Sequence, residues 1–521
     1  MTDLGLPLRK IWWQFDRMVG ARARQNAAAR RLLARAQDLH QQNKLAEAEE
    51  AYGHVLALAP RHVEAWHLAG VVQMQRENDA GAVELISRAL HIEPALGTAW
   101  YDLGNALMRL NRHEEAVACY DRAVQLNPAQ PKIWKDRGAA LRRLDRLADS
   151  LDSYDRALAL RPDYVEALIG RGTALHDLKR VPEALTSYGR ALALRPGDGP
   201  IHHNRALCKL LLGDLRGAWP EFEWRQSHLE AVRAKSRGLG ARWDGSQPLA
   251  GKSILLWAEP GFGETIHFCR FARLVAARGA QVLLLVPDAR EADVLAPLLQ
   301  GLEGPSCLLR SDELAPETDY HCSLLSLPLA LQIDLDSLSA ERPYLHADPA
   351  RVAAWGARLG PRRLPRIGLA WSGNPARSND RKRSIPLQQF LPMVQGPFEF
   401  VSIQKDLRET DMPVLAQRPD IRRFEDALQD FGDTAALLQH MDVVVSVDTS
   451  VAHLAGALGR PVWILLSYVA DWRYLLDRDD SPWYPTARLF RQPAIGDWSS
   501  VCAAVGRELA ATTFPLAEVA V

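Results

Sequence analysis

The chain has 521 residues, with 63 Lys+Arg balanced by 63 Asp+Glu and 47% hydrophobic residues. Such a length suits three or four domains with sizeable cores, and the charge balance excludes a global field that would gather nucleic acid or acidic lipid. Cysteines at 119, 208, 269, 307, 322 and 502 form no CxxC pair and no metal-ligand spacing. Free thiols in a reducing cytoplasm fit that pattern. No apolar run approaches a membrane span and no signal-peptide core opens the chain, so a cytoplasmic location is expected.

An amphipathic helix is expected over residues 1–27, where Leu8, Ile11, Trp12, Trp13, Phe15, Met18 and Val19 alternate with Arg9, Lys10 and Arg17. It reads as a helix packed on the following domain; an interfacial membrane helix is the alternative, and this helix is the only segment that allows membrane contact.

The next two hundred residues keep a strict step of 34. Prolines recur at 60, 94, 128, 162 and 196, and small residues at Ala48, Ala82, Ala116, Ser150, Ala184 and Ala218. Trp66, Trp100 and Trp134 follow the same step, as do Gly70, Gly104, Gly138 and Gly172. Tyr52, Tyr120, Tyr154 and Tyr188 mark the second half of most units. Small residues let two helices touch, aromatics fill the gap between units, and Pro ends the second helix. This pattern resembles the tetratricopeptide repeat, a helix–turn–helix unit. Five units span about 28–197; a sixth, 198–231, keeps Ala206, Gly213 and Ala218 but lacks the closing Pro. The array, 28–231, is expected to be an α-solenoid whose groove holds a protein or peptide acceptor. Asn105, Lys135, Arg171 and Asn204 on the first helices are candidates to line it.

A linker is read over 232–250, and the pattern then changes to strands alternating with helices. Strands are expected at 253–257, 281–286 and 320–324, with helices over 265–278 and 288–300. A second unit follows a stretch rich in Arg and Pro at 341–366 that includes a helix at 349–359. Its strands are expected at 367–371, 400–403, 443–447 and 462–466. Alternation of this kind means parallel sheets with ligands at the carboxyl ends of the strands. The halves are set at 251–345 and 346–512.

Chemistry-bearing residues follow the strands. Gly261-Phe262-Gly263 lets the backbone approach a ligand, with Glu264 at the helix start beyond it. Ser372, Gly373 and Asn374 form a second small-residue loop, and Arg377, Arg381, Lys382 and Arg383 crowd after it. Gln404 and Lys405 end the 400–403 strand. The most informative stretch runs from Met441 to Leu466. There an apolar strand leads into Asp448-Thr449-Ser450, three N-cap-type residues ahead of a helix, with His453 one turn in. Such a helix N-terminus carries roughly half a positive charge and unpaired N–H groups, which suits a phosphate. Asp334, Asp336 and Asp477–Asp480 read as turns or helix starts, so no metal site is expected.

Gly263-Glu264-Thr265-Ile266-His267, Arg383-Ser384-Ile385-Pro386 and Val447–Ala455 resemble, in the same order, motifs of the heptosyltransferase-like (family 9) glycosyltransferases. Trp371–Pro375, Phe400–Lys405 and Asp480–Pro485 are similar to segments of bacterial proteins in which tetratricopeptide repeats precede such a domain. That architecture is similar to O-linked N-acetylglucosamine transferase. The resemblance implies a GT-B fold of two Rossmann-like domains, 251–345 on the acceptor side and 346–512 on the nucleotide-sugar side, a nucleotide-sugar co-substrate and no further cofactor. It implies that Asp448, Thr449, Ser450 and His453 hold the diphosphate, aided by Arg383 where the family has a Lys. Gly263, Ser372, Gly373, Asn374, Gln404 and Lys405 complete the implied donor site. Glu264 stands where the family has an Asp general base. The expected activity is sugar transfer to a protein captured by the repeats, such as flagellin or another surface protein. A glycan or lipopolysaccharide acceptor, and a non-catalytic scaffold, are the alternatives.

Overall fold

The computed structural model describes residues 6–514 except 226–228, 310–312, 339–342 and 377–379, and side chains from Arg24 onward apart from that of Ala231. Arg377 and the side chains of Leu8, Ile11, Trp12, Trp13, Phe15, Met18 and Val19 thus lie outside the described residues. The chain divides into two compact units, 1–196 and 197–521.

The first unit is a stack of antiparallel helix pairs. The helix expected over 1–27 runs on to Gln41 without a break and pairs with Leu45–Leu58. Four further pairs follow, from Val63–Gln75 with Asp79–Ile92 to Val165–Asp177 with Val181–Leu194. The sequence period has a backbone counterpart. Asn43, Glu77, Asn111, Asp145 and Lys179, each 34 residues from the next, all turn with φ between +56° and +63°. One left-handed residue per unit reverses the chain between helices; Asn and Asp accept it more readily than Glu or Lys. A second regularity joins two spaced residues: the Trp66, Trp100 and Trp134 indoles donate to the carbonyls of Pro60, Pro94 and Pro128 at 2.8–2.9 Å. The Pro that ends one unit is thereby fastened to the first helix of the next.

Of the candidate groove residues, Asn105 accepts from the Tyr120 hydroxyl at 2.8 Å and Lys135 pairs with Asp136. Arg171 bridges Asp155 and Ser187 at 2.6 and 2.8 Å. These three polar groups are engaged within the solenoid.

The second unit begins with a helix pair, Gly199–Leu211 and Leu215–Phe222, in the place of the sixth repeat. Trp219 is buried, and its indole donates to the Ile333 carbonyl at 2.8 Å. This pair is built into the α/β body that follows it. The segment read as a linker carries β1 (Ala241–Arg242), a strand of the first sheet.

Among the described residues the first sheet holds β1, β2 (Ser253–Trp257), β3 (Gln281–Leu285), β4 (Pro305–Leu309) and β5 (Tyr320–Ser323), in the order β1-β5-β2-β3-β4. The second holds β6 (Arg366–Ala370), β7 (Glu399–Ser402), β8 (Ile421–Arg422), β9 (Val443–Val447), β10 (Val462–Leu466) and β11 (Ala487–Arg491), in the order β11-β10-β9-β6-β7-β8. Every strand pair is parallel. β6, β9 and β10 are buried along their whole length, as a sheet covered on both faces requires. The continuous helix expected over 265–278 is instead Phe262–Phe268, a 3₁₀ turn at Cys269–Phe271, and Ala272–Ala276. The break coincides with buried Arg270, which donates to the His267 and Trp483 carbonyls and the Tyr344 hydroxyl.

Strand order fixes where a ligand can lie. In the second sheet the order reverses between β6 and β9, and the crevice at such a point receives ligands in open α/β sheets. In the first sheet the order reverses between β2 and β5, but side chains fill that place. Glu259, just past β2, accepts from Ser323 at the end of β5 and from Arg225, both at 2.5 Å, and is buried.

Helix contact inside the repeats can be tested at two glycines. A Cβ on Gly104 would lie 2.6 Å from the Tyr120 ring, whereas one on Gly189, within its helix, meets nothing within 4 Å. Gly104→Ala should destabilise the repeat unit by about 1–3 kcal/mol through overpacking. Gly189→Ala should stabilise it by about 0.5–1 kcal/mol through the lost glycine entropy. Thermal melting followed by circular dichroism checks both, and equal shifts would contradict close packing at Gly104.

Candidate functional site

The site lies at the β6/β9 crossover. β9 runs straight into the Ser450–Ala457 helix, whose N-cap position is Thr449. The sequence offers three capping side chains there, yet none caps. Thr449 Oγ1 is 3.2 Å from Ser446 Oγ instead, and the helix start has no side-chain cap hydrogen bond. Asp430, Asp348 and Asp497 do cap their helices through their carboxylates. First-turn N–H groups left without a cap, at the end of a buried strand, form a site suited to an anion.

The β6 side supplies the opposite wall. Gln404 holds the Ser372 backbone from both sides, accepting from its N–H at 3.2 Å and donating to its carbonyl at 3.0 Å. The Gly373 N–H donates to Ser384 Oγ at 3.0 Å, and Ser384 in turn donates to buried Asp380 at 2.6 Å. Arg408 closes this cluster on Asp380 at 2.6 Å. Over this braced loop lies Arg383, which donates to the Asp448 carbonyl at 3.3 Å. A Cβ on Gly373 would come within 2.6 Å of its guanidinium, so only glycine lets it lie there. Ser372 Oγ is buried without a partner among the described residues.

Not every expected residue joins this cluster. Lys405 is exposed and donates to the Glu425 carbonyl at 2.8 Å, and Asn374 Oδ1 accepts from the Ala376 N–H within its own loop. Gln404 acts on the backbone of Ser372. The structure brings together Ser372, Gly373, Arg383, Asp448, Thr449, Ser450 and His453.

Across from them the Phe262–Phe268 helix starts at Gly261, held by its N–H to Glu291 at 3.0 Å with φ +133°. Its first turn abuts that of the Ser450–Ala457 helix. A Cβ on Gly263 would sit 3.0 Å from the His453 ring and 3.9 Å from Ser450 Cα. Glu264, half-buried in this turn, has its carboxylate 3.9 Å from Arg473.

Three residues here were not among the expected site residues. Arg473 is buried, donates to Asp471 at 2.9 Å and lies over the Phe268 and Trp472 rings. Burial opposes its charge, but Asp471 and then Glu264 push its pKa above the ordinary guanidinium value. Tyr474 donates to Asp448 at 2.8 Å. Tyr484 lies between His267 and His453, its hydroxyl 2.7 and 2.9 Å from their Nδ1 atoms. The motif Asp480–Pro485 pointed to Tyr484; the 471–474 turn has no periodicity to mark it.

Charge states follow from burial. Both His267 and His453 are held well below the usual imidazole value by desolvation first, then by the surrounding Arg270 and Arg473. Asp448 is pushed up to about 6 by burial and by Asp471. Burial raises Tyr484 to about 12, so its hydroxyl keeps its proton.

With this geometry in place, the chain was compared with known proteins. Tetratricopeptide repeats match over residues 33–96, 97–130 and 135–199. Residues 427–467 match glycosyltransferase family 9 (heptosyltransferase). Tetratricopeptide repeats and a family 9 glycosyltransferase segment share this chain. The family 9 segment contains β9, the uncapped helix start and β10, which is the anion-suited half of the site. A relative, Protein FlbA of Caulobacter vibrioides, is 26% identical across 58% of this chain and 54% of its own length. The chain thus spans about half of that protein. Among solved structures, MamA from Desulfovibrio magneticus is 17% identical, with 33% of this chain and 97% of that chain covered and a TM-score of 0.32. YrrB, described as a TPR protein with an unusual peptide-binding site, is 17% identical, covering 36% and 98%, with a TM-score of 0.31.

The buried histidines make stability depend on pH. Their folded values lie below the ordinary 6.5, so the stability they contribute is present above about 6.5 and is lost as pH falls toward those values. Asp448 acts in the opposite sense: its contribution is complete below its ordinary 3.8 and is lost as pH rises through about 6. Two imidazoles outweigh one carboxyl. Below pH 6 these three groups together should cost the α/β unit up to about 1.4 kcal/mol per pH unit. Denaturation midpoints against pH should show this slope, flattened in His267→Gln and His453→Gln; an unchanged slope in both would contradict the assignment.

Proposed function

We propose that the chain is a GT-B glycosyltransferase that moves a sugar from a nucleotide-sugar donor to a polypeptide held by the repeats, an exported surface protein such as flagellin being a suitable acceptor. The observation that carries this reading is the uncapped start of the Ser450–Ala457 helix at the β6/β9 crossover, inside the family 9 match and beneath Arg383. A nucleoside diphosphate fits the chemistry of that place: fixed N–H dipoles and a guanidinium able to grip two phosphate oxygens. The repeat array favours a polypeptide acceptor, because a solenoid groove suits an extended peptide.

In this mechanism the acceptor hydroxyl attacks the anomeric carbon as the bond from that carbon to the diphosphate oxygen breaks. The departing oxygen takes the electron pair, and the helix N–H groups with Arg383 stabilise the growing charge without a metal. Glu264 accepts the hydroxyl proton, with Arg473 at 3.9 Å holding its carboxylate in place.

Incubation of the purified chain with UDP-, GDP-, CMP- and ADP-sugars should reveal one donor that is bound and slowly hydrolysed. Arg383→Ala should weaken binding of that donor by about tenfold to a hundredfold, the worth of a hydrogen bond to a charged group. Glu264→Gln should keep donor affinity and lower transfer by about a hundredfold or more. Absence of nucleotide binding across the panel would defeat the reading, and a fully active Glu264→Gln would remove the base role.

A further inference from the structure

Tyr484 has one hydroxyl proton and two imidazoles to serve. His267 Nδ1 lies 2.7 Å from its oxygen and His453 Nδ1 lies 2.9 Å away. The neighbouring Tyr344 hydroxyl is already committed, accepting from Arg270 and donating to the Ile266 carbonyl at 3.0 Å. Both imidazoles are buried and held neutral, so each carries a single N–H. The Tyr484 proton therefore goes to one ring, and the other ring donates its Nδ1–H to the Tyr484 oxygen.

The far edges of the two rings decide which way the chain runs. His267 Nε2 is buried with no hydrogen-bond partner among the described residues. His453 Nε2 faces the site, 3.8 Å from Asp448 Oδ1 and 3.6 Å from where a Cβ on Gly263 would be. Consider the arrangement in which Tyr484 donates to His267. That would strand a buried N–H on His267 and turn a bare lone pair of His453 toward a carboxylate and an anion site. The reverse arrangement leaves only an unfilled acceptor on His267, which is the less costly default, and presents an N–H from His453 to the site.

We propose that His267 and Tyr484 are positioning residues that lock His453 as its Nε2–H tautomer, a neutral, permanent donor aimed at the phosphate of the bound nucleotide. The proton order runs from His267 Nδ1–H to the Tyr484 oxygen and from the Tyr484 hydroxyl to His453 Nδ1. His453 then contributes to anion binding without carrying charge, and its contribution does not fade as pH rises through neutrality. The tautomer stands on hydrogen-bond geometry together with the burial that keeps both rings neutral; its role toward phosphate rests on the nucleotide reading above.

Selective ¹⁵N-histidine labelling of the full chain tests both parts, with long-range ¹H–¹⁵N correlation at pH 7.5 and assignment through His267→Gln and His453→Gln. The expected result is Nε2–H for His453 and Nδ1–H for His267. In Tyr484→Phe, which keeps the ring, the His453 signals should shift toward a mixture of tautomers. UDP, or another nucleoside diphosphate found to bind, should be held about tenfold more weakly by that variant. A His453 found as Nδ1–H in the unsubstituted chain would overturn the proposal even where nucleotide binding persists. An Nε2–H tautomer in a chain that binds none of UDP, GDP, ADP or CDP would uphold the lock and overturn its phosphate role. Retained tautomer and unchanged affinity in Tyr484→Phe would overturn the part given to Tyr484.

Discussion

Two helix starts pressed together set the conditions for everything else in the α/β body. Gly263 in one first turn and His453 in the other approach so closely that a single Cβ would lie 3.0 Å from the imidazole. Each helix start brings partial positive charge, and Arg473 and Arg383 add full charges nearby. A cluster of that sign is tenable only with carboxylates among it. Asp471 bonds Arg473, Glu264 lies 3.9 Å from it, and Asp448 takes the Tyr474 hydroxyl. The balance is uneven, because burial pushes Asp448 up to about 6 and so weakens its negative charge near neutrality. An arriving diphosphate would supply the charge that the carboxylates only partly provide.

Against this, the first sheet shows how the same fold closes a crevice it does not use. Its crossover between β2 and β5 has the topology of a binding site, yet Arg225, Glu259 and Ser323 occupy it as a buried ion pair with a hydroxyl. Arg225 follows directly from the Leu215–Phe222 helix, which sits where the sixth repeat was read. The last helix pair thus spends its polar end on anchoring the α/β body. A buried pair of this kind gives little net stability, but loss of one partner would leave a charge stranded and is strongly destabilising. It ties the helix pair to the α/β body and fills the first crossover, which leaves the crossover of the second sheet for the proposed ligand site.

How much of this was legible in the sequence divides along physical lines. β2, β3, β5, β6, β7, β9 and β10 are all expected from the sequence, and β2, β9 and β10 agree at both ends. Missed were β1, β4, β8 and β11, which are the four sheet edges. Interior strands of a parallel sheet are buried on both faces and favour apolar side chains, whereas β1 and β8 have only two residues each and β4 and β11 carry polar or exposed positions that break an apolar run. The repeat period was legible for a related reason, since every unit solves the same packing problem with the same residues. What the period also encodes, one left-handed turn residue per unit, was hidden because Asn, Glu, Asp and Lys share a backbone conformation without sharing chemistry.

The site divides in the same way. Asp448 through His453 and Gly263 lie on strand-to-helix turns, where local spacing alone fixes the geometry, and reading them needed no distant partner. Arg473, Tyr474 and Tyr484 belong to irregular segments, and their meaning comes from contacts across the fold; Tyr484 meets His267 from 217 residues away. The sequence places three N-cap-type side chains at this helix start, and the structure uses none of them as a cap. Thr449 turns its hydroxyl to Ser446, which buries that hydroxyl beside the strand and leaves the helix start bare. Asp430 at the preceding helix, with a comparable choice, caps its own first turn. An uncapped helix start leaves its first-turn N–H groups open to the anion proposed above, and the imidazole of His453 adds a further donor there without adding charge.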